Sequence, residues 1–384
     1  MKTLKFLAIF CLSALAFVGC EASSSEDNND GGSDTSKQLL LIADKTTIYD
    51  NGTDAATFTL YYDGMILTEG YEIYEGETLL EGNTFTSTVK GSHIIWASYG
   101  TLESNDVSIN VVSTPPAAPA APEDTNPEKT NFKRRVLLTQ FTGTGCGFCP
   151  LMMNALHYAL QVYGDEIVIA AAHLYNENDP AYLSEAQTLD NAMSIFDFPN
   201  LVADLDKTTR NADPFYSNVK KIIDSSFARV DVKGGIAVNA KYHPEEGYIV
   251  INTTVKAKTT TDFRVAAWLL EDGIYGKQAV YSDPYSETGE LIQPLDGVVF
   301  NTHNNCIRLT EGKQSNADYT GFSLGTIEAG KTASRDFAFR LQSKWKTDNL
   351  RVIVFITTKE GNNWLVNNVV SCKKDDSVDF EYED

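Results

Sequence analysis

The chain has 384 residues, a formal net charge of -21 and 42% hydrophobic residues. This length accommodates about two to four domains. The acidic balance argues against nucleic acids and anionic lipid headgroups as partners, because both would repel the chain. Composition therefore favours a solvated protein and leaves the fold open.

The first residues have the pattern of an export signal. Lys2 and Lys5 precede an apolar run over residues 6–18, which is too short to span a bilayer and stop. The run ends in Gly19-Cys20 and resembles the lipobox of bacterial lipoproteins, with Phe17 where Leu is usual. The resemblance implies a signal peptide over residues 1–19 and an acylated Cys20 held in outer-membrane lipid. An ordinary secretory signal with an incidental cysteine is the alternative.

Residues 20–37 are Ser, Asn, Asp, Glu and Gly with almost nothing apolar. Such a segment cannot bury enough surface to order itself, which predicts a flexible acidic tether. Its acidic cluster (Glu26, Asp27, Asp30) is similar to export tags that send some Gram-negative lipoproteins to the cell surface. A solvated spacer is the alternative.

Residues 38–113 contain short β runs separated by turn signals such as Asp63-Gly64. This pattern predicts a small β-sandwich. Its sequence is similar to bacterial immunoglobulin-like repeats, which implies a spacer or adhesion module. Residues 114–131 then carry five of the twelve prolines, interleaved with Ala. That composition predicts a semi-rigid linker and a domain boundary.

A Cys-x-x-Cys motif follows the next apolar run. The run over residues 136–141 leads through a Gly/Thr loop to Cys146, Cys149 and Pro150, and helical spacing follows. The unpaired N–H groups and positive dipole end of a helix N-terminus stabilise a thiolate. A zinc site would need ligands that no second Cys-x-x-Cys or close His pair supplies. A purely structural disulfide stays open, because the spacing shows proximity and not reactivity.

The elements after the motif alternate between strand and helix patterns. A buried strand over residues 166–173 ends at His173, and Pro199 precedes a strand over residues 201–205. The order β-α-β-α-β-α, with the cysteines at the first β-α junction, resembles the thioredoxin superfamily. The resemblance implies a cis Pro199 in a loop that faces the two sulfurs and binds a substrate chain. A trans turn proline is the alternative.

Three stretches of the sequence point to a particular family with a thioredoxin-like domain. Residues 136–150, the strand ending at His173 and residues 301–309 together are similar to the Omp28-related outer-membrane lipoproteins. That family couples a thioredoxin-like domain to a C-terminal β domain. Thr139 and Gln140 depart from acids that the family tends to carry, and an amide at Gln140 cannot move protons for a resolving cysteine. Gly145 stands where tryptophan is common, and these departures argue against efficient disulfide exchange.

Residues 233–372 are again dominated by strand patterns and predict a second, larger antiparallel sandwich, followed by an acidic tail over residues 373–384. The predicted fold class is therefore multidomain α+β. It comprises an N-terminal immunoglobulin-like β-sandwich, a central thioredoxin-like α/β domain over residues 132–232 and a C-terminal antiparallel β-sandwich. Cys306 and Cys372 could pair or remain separate.

The leading functional hypothesis is a lipid-anchored outer-membrane or cell-surface protein that exchanges disulfides with other extracytoplasmic proteins. Cys146, the more exposed thiolate, would attack, and Cys149 would resolve the mixed disulfide. Pro199 would dock the partner chain, and His173 would shuttle protons near the same rim of the sheet. The alternative is a non-enzymatic surface binding or adhesion lipoprotein with a structural disulfide. No cofactor, metal site or nucleic-acid partner is predicted.

Overall fold

The structure, a computed structural model, describes residues 38–229, 231–280 and 300–383. The predicted signal peptide, Cys20 and the tether lie outside these residues. No helix within them is long and apolar enough to cross a membrane. The chain divides into two compact units. Within the described residues, the first unit comprises residues 38–48, Ala55–Thr86 and Gly91–Asn110, and the second comprises Tyr49–Asp54, Ser87–Lys90 and the residues from Val111 onward.

Ten short strands lie in the N-terminal part of the chain and form two sheets. They are β1 (Leu39–Ala43), β2 (Thr47–Tyr49), β3 (Ala56–Tyr62), β4 (Met65–Leu67), β5 (Glu72–Glu75), β6 (Thr78–Leu79), β7 (Thr84–Phe85), β8 (Gly91–Tyr99), β9 (Leu102–Glu103) and β10 (Val107–Val112). One sheet has the order β1-β3-β4 with β7 on β3, and the other has β2-β10-β8-β5-β6 with β9 on β8. Burial alternates along β3, where Ala56, Phe58 and Leu60 face the core.

The remaining strands and all three α-helices of the described residues follow. They are β11 (Val136–Thr142), α1 (Cys149–Tyr163), β12 (Ile167–His173), α2 (Leu189–Met193), β13 (Asn200–Ala203), α3 (Tyr216–Arg229), β14 (Gly234–His243), β15 (Tyr248–Ala257), β16 (Thr261–Glu271), β17 (Ile274–Tyr275), β18 (Thr302–His303), β19 (Cys306–Glu311), β20 (Phe322–Ile327), β21 (Thr332–Arg340), β22 (Leu350–Glu360), β23 (Asn363–Lys373) and β24 (Ser377–Val378).

One eight-stranded sheet joins the central and C-terminal segments. Its order is β13-β11-β12-β19-β16-β22-β23, with β20 paired to β16. β11 pairs in parallel with β12, and β12 pairs in parallel with β19 where Ala171 meets Cys306. The prediction of a multidomain α+β fold with a separate central thioredoxin-like domain is therefore wrong. The chain is mostly β, and strands from both segments share a sheet.

The edge of β12 explains why the segments merge. All seven residues of β12 are buried, including the small side chains of Ala170 and Ala172. If β12 ended a three-stranded sheet, its outer edge would present unpaired N–H and C=O groups. β19 supplies partners to that edge, but it lies 135 residues further along the chain. Local periodicity identifies both strands and carries no information about this pairing.

Helices and a second sheet cover the two faces of the large sheet. α1 and α3 pack on β11, β12 and β13 through a core that includes Leu138, Met152, Ile169 and Ile223. α2 packs on the opposite face of these strands, in a core that continues to Trp268 on β16. The four-stranded sheet β21-β15-β14-β24 packs through apolar side chains against β16 and β22. Residues at the C-terminal end of β11 therefore lie at the rim of a sheet with both faces covered.

The Pro/Ala-rich residues 114–131 are held to the second unit through a buried lysine. Lys256 is 1% exposed. Its Nζ atom donates to Asp124 Oδ2 at 2.7 Å, Pro127 O at 2.8 Å and Tyr382 Oη at 3.1 Å. A buried ammonium needs such partners, because an unpaired one would be strongly destabilising.

We expect Lys256→Met to destabilise the second unit by about 2 kcal/mol and to open residues 114–131 to proteases, because it removes three hydrogen bonds at once. Denaturant unfolding and limited proteolysis measure the two effects. Lys258→Met is the matched control, since the Nζ atom of Lys258 lies 3.4 Å from Asn131 Oδ1 and 3.5 Å from Asp231 Oδ1, longer than the bonds of Lys256. Equal behaviour of the two variants would contradict a docked linker.

Candidate functional site

The two cysteines of the Cys-x-x-Cys motif form a disulfide at the junction between β11 and α1. The Cα atoms of Cys146 and Cys149 are 5.4 Å apart. Cys149 is the first residue of α1, and Pro150 occupies the first turn, where a missing N–H costs nothing. Cys146 is 3% exposed and Cys149 is 0% exposed. The expectation that Cys146 is open to solvent is therefore wrong, and both sulfur-bearing side chains are buried.

Residues 276–279, here called the covering segment, lie against the loop that carries Cys146. Gln278 Nε2 donates to Cys146 O at 2.8 Å and to Gly143 O at 3.3 Å. The N–H of Ala279 donates to Thr144 O at 2.8 Å. One backbone–backbone bond and two bonds from the buried Gln278 amide hold the covering segment directly against the disulfide loop. The segment therefore covers this side of the loop.

Close packing leaves no room for a side chain at Gly276. A Cβ atom there would lie 2.9 Å from Thr144 Cγ2. A larger residue at this position would have to displace Thr144, so glycine allows the close approach. At Gly145 a Cβ atom would lie 3.0 Å from Asn176 Oδ1 and 3.2 Å from the ring of Tyr175, so a side chain there would require a small shift of these neighbours. Tyr175 thus fills the space beside the residue before Cys146.

His173 belongs to a buried cluster behind the disulfide loop. Its Nδ1 atom lies 2.8 Å from Asp179 Oδ2, and its Nε2 atom lies 3.6 Å from Cys306 Sγ. The ring of His303 packs edge-on against that of His173 at 5.0 Å, and His303 Nε2 bonds Gly276 O at 3.1 Å. Since these side chains are at most 5% exposed, the cluster links the end of β12 to the covering segment without reaching solvent.

Burial and hydrogen bonding set the protonation of this cluster. Burial alone would raise the pKa of Asp179, but bonds from His173 and from two backbone N–H groups lower that pKa to about 2. Burial lowers the pKa of His303 to about 4 and raises the pKa of the Cys306 thiol well above its usual value. At neutral pH Cys306 is therefore a protonated thiol. Asp179, His173 and Cys306 are the residue types of a nucleophilic triad. Here, however, the cysteine is not a thiolate, and all three side chains are buried.

Pro199 lies on the loop that leads into β13. The Phe198–Pro199 peptide bond is cis, and Pro199 is buried. The ring of Phe198 packs edge-on against Tyr175 at 5.6 Å, and Tyr175 lies beside Gly145. The proline loop thus reaches the disulfide loop through one tyrosine ring. Its docking role and the proton-shuttle role of His173 stay predictions.

The sequence did not predict the contacts of several other side chains near the disulfide. Nothing in the sequence around Gln278 indicates its role, because its hydrogen-bond acceptor on Cys146 lies 132 residues away along the chain. Asp179 lies six residues after His173, a spacing that is compatible with a contact but does not require one. Cys306 and Cys372 are both free and buried, so they do not pair. Among the residues described, no group of His, Cys, Asp or Glu is arranged to hold a metal ion.

Comparison with solved structures gives three examples of distant likeness. HBP35 of Porphyromonas gingivalis is 16% identical, with a TM-score of 0.46 over 64% of this chain and 77% of that chain. A protein from Agrobacterium tumefaciens is 10% identical, with a TM-score of 0.39 over 65% and 97%. A domain of the outer membrane lipoprotein Omp28 from Porphyromonas gingivalis is 18% identical, with a TM-score of 0.21 over 38% and 92%. At these TM-scores none of the three defines the fold of this chain.

The sequence comparison identifies the class of protein. Residues 207–377 match the family described as Outer membrane protein Omp28, which is less than half of the chain. No curated protein matches the chain. The matched region begins a few residues after β13 and ends at the first residue of β24, so it contains α3 and the strands from β14 to β23.

Over residues 207–377 the chain matches the Omp28 family of outer-membrane proteins, which agrees with the expected location at the outer membrane or the cell surface. The family resemblance drawn from the sequence is confirmed. The expected disulfide between Cys146 and Cys149 is also present.

Proposed function

We propose that this chain is a lipid-anchored binding lipoprotein in which Cys146–Cys149 is a structural disulfide. The burial of both cysteines supports the proposal. Thiol–disulfide exchange requires an attacking thiolate to approach one sulfur of the bond, so a sealed disulfide exchanges slowly. The second support is the set of bonds from the covering segment to Cys146 and its neighbours.

The disulfide holds a loop on which several parts of the chain converge. The N–H of Thr144 donates to Asp179 Oδ2 at 2.7 Å, and the N–H of Gly145 donates to Asn176 Oδ1 at 3.0 Å. The covering segment bonds the same loop from the other side. A covalent link to the first residue of α1 limits the motion of this loop in the native and the unfolded chain.

The remaining parts of the chain have supporting roles in this proposal. Cys20 carries the acyl chains, and residues 20–37 form the acidic tether. The β-rich residues 38–113 act as a spacer that sets the reach from the membrane, and residues 114–131 connect them to the larger unit. A protein with this arrangement presents a binding surface away from the lipid.

Thiol–disulfide exchange on other extracytoplasmic proteins is the second candidate. The observation in its favour is the position of Cys149 at the start of α1, where the helix dipole stabilises a thiolate. In this candidate a thiol reductant first reduces the Cys146–Cys149 bond. The Cys146 thiolate then attacks a partner disulfide and releases one partner thiol, and Cys149 resolves the mixed disulfide by releasing the second, with Pro199 docking the partner. The covering segment would first have to leave the loop.

A redox titration and a trapping variant distinguish the two candidates. We expect the native disulfide to resist glutathione and to be reduced only below about -300 mV, as structural disulfides are. We also expect Cys149→Ser to form no mixed disulfide with a peptide disulfide under native conditions, and to react once denaturant is added. The reaction is followed by mass spectrometry of the intact chain.

The matched control for this experiment is Gln278→Ala, which removes two bonds to the loop but no sulfur. If burial limits the reaction, Gln278→Ala combined with Cys149→Ser reacts faster than Cys149→Ser alone. Rapid trapping by Cys149→Ser in the native protein would sink the structural proposal and favour exchange.

A further inference from the structure

A cavity of about 440 Å³ lies between α1 and the residues that lead into β19, outside the disulfide site. Leu156 from α1, Ile169 from β12 and Phe300 form apolar parts of its wall. Gln140 from β11 and Asn154 from α1 are polar parts. Its volume falls within the range of about 300–1,000 Å³ that is usual for small-molecule sites. An apolar wall with a few amides is the usual composition of such sites.

Two side chains of this wall have unmatched hydrogen-bond donors. Gln140 is 5% exposed and Asn154 is 2% exposed. Neither Gln140 Nε2 nor Asn154 Nδ2 has an acceptor within the part of the chain that the structure describes. Buried polar groups are nearly always paired, so two unpaired amides on one cavity wall require an explanation. A bound molecule with an acceptor oxygen provides one.

The charge of the wall limits the chemistry of such a molecule. No Asp, Glu, Lys or Arg is among the described residues that line the cavity, and the His157 ring on its wall is paired through Nε2 with Gln161 at 2.9 Å. A carboxylate or ammonium ligand would therefore lose its hydration without gaining a free ion-pair partner. Amide N–H groups donate to carbonyl and hydroxyl oxygens, and an apolar wall favours a hydrocarbon or ring face.

We propose that this cavity binds a small neutral organic molecule that carries a carbonyl or hydroxyl oxygen and an apolar face. Gln140 and Asn154 donate to the oxygen, and Leu156, Ile169 and Phe300 pack against the apolar face. This site does not involve the sulfurs. Ligand binding here and the redox behaviour of Cys146–Cys149 can therefore fail or succeed independently.

The test uses ligand-observed NMR with two matched probes. The protein is the full chain without residues 1–19. Acetanilide is neutral and joins a carbonyl to an aromatic ring, whereas benzoate has a similar ring and a negative charge. We expect acetanilide to bind with a Kd on the order of 1 mM, typical of a fragment of this size. We expect benzoate to bind at least about tenfold more weakly.

Three variants locate the probe. Gln140→Leu and Asn154→Leu remove the unmatched donors and should each weaken acetanilide binding at least about tenfold. Leu160→Trp, at another part of the wall, should block the cavity by volume. Acetanilide that does not bind at 10 mM (about ten times the expected Kd), or that binds equally to all three variants, would overturn the proposal.

The thermal stability of the free protein gives an independent readout. Asn368 is also 2% exposed, but its amide donates to Lys133 O at 2.9 Å. Asn154→Leu should therefore keep or raise Tm, whereas Asn368→Leu should lower it, although the substitution is the same. A drop in Tm for Asn154→Leu as large as that for Asn368→Leu would show that the Asn154 amide is a structural group and would overturn its assignment to a ligand.

Discussion

Asp204→Asn is expected to lower the free energy of unfolding of the second unit by about 3–5 kcal/mol, the loss usual when a buried charge loses its partner. Asp204 is 0% exposed, and its Oδ2 atom lies 2.7 Å from Arg134 Nη2. The same oxygen also accepts from Ser226, and Oδ1 accepts from the N–H of Leu137 at 3.1 Å. Asn keeps the side-chain shape but leaves Arg134, which is 6% exposed, without its counter-charge.

The backbone does not complicate this substitution. Asp204 has a positive φ of 52°, a conformation that Asn tolerates nearly as well as Asp. Asp224→Asn is the control, because Asp224 pairs with Lys220 on the surface, where each side chain is 49% exposed. Such pairs contribute at most about 1 kcal/mol. Denaturant unfolding compares the two, and a loss below about 1 kcal/mol for Asp204→Asn would contradict a buried ion pair.

Acidification from pH 6.5 to pH 4 is expected to cost about 3 kcal/mol through His303 alone. Burial of the ring, which is 2% exposed, lowers its pKa from 6.5 to about 4. As the pH falls, the unfolded chain therefore takes up this proton before the folded chain does. The contribution to stability is complete above pH 6.5 and disappears by about pH 4.

His303→Gln should flatten this part of the stability profile, because Gln does not titrate. Denaturant unfolding at intervals between pH 7 and pH 4 measures the slope. His157→Gln is the matched control, since His157 lies half-exposed on α1 and bonds Gln161. Equal slopes for wild type and His303→Gln would contradict a ring that is buried and neutral.

Asp179 affects stability in a lower pH range than His303 does. Its pKa is lowered from 3.8 to about 2 in the folded state, so its contribution is present above pH 4 and is lost as the pH falls towards 2. His303→Gln leaves that loss in place. The two groups hold opposite sides of one contact, since Asp179 bonds the N–H of Thr144 on the disulfide loop and His303 bonds Gly276 O on the covering segment. Strong acid therefore weakens the contacts that bury the disulfide.

The sequence predicts local features of this protein well. The apolar runs of β11 and β12 and the helical spacing after Pro150 indicate the strand–helix–strand unit directly. The three-residue spacing of Cys146 and Cys149 makes their disulfide geometrically accessible. These signals depend on residues that are neighbours in sequence.

Features that depend on distant residues were not predictable in this way. The burial of Cys146 depends on Gln278, and the merging of the central and C-terminal segments depends on the pairing of Ala171 with Cys306. A strand pattern shows that a strand exists, but the choice of its neighbour depends on the whole chain. The cavity beside α1 likewise has a wall shared by Asn154 and Phe300, which are far apart in the sequence.

The order of strands in the large sheet also constrains how the protein is made. β12 leaves the ribosome well before β19, and β22 and β23 complete the sheet near the C-terminus. A contact between residues so far apart forms late, because a long loop must close first. During synthesis β12 therefore has one unpaired edge until β19 is available, and an unpaired edge favours misassembly.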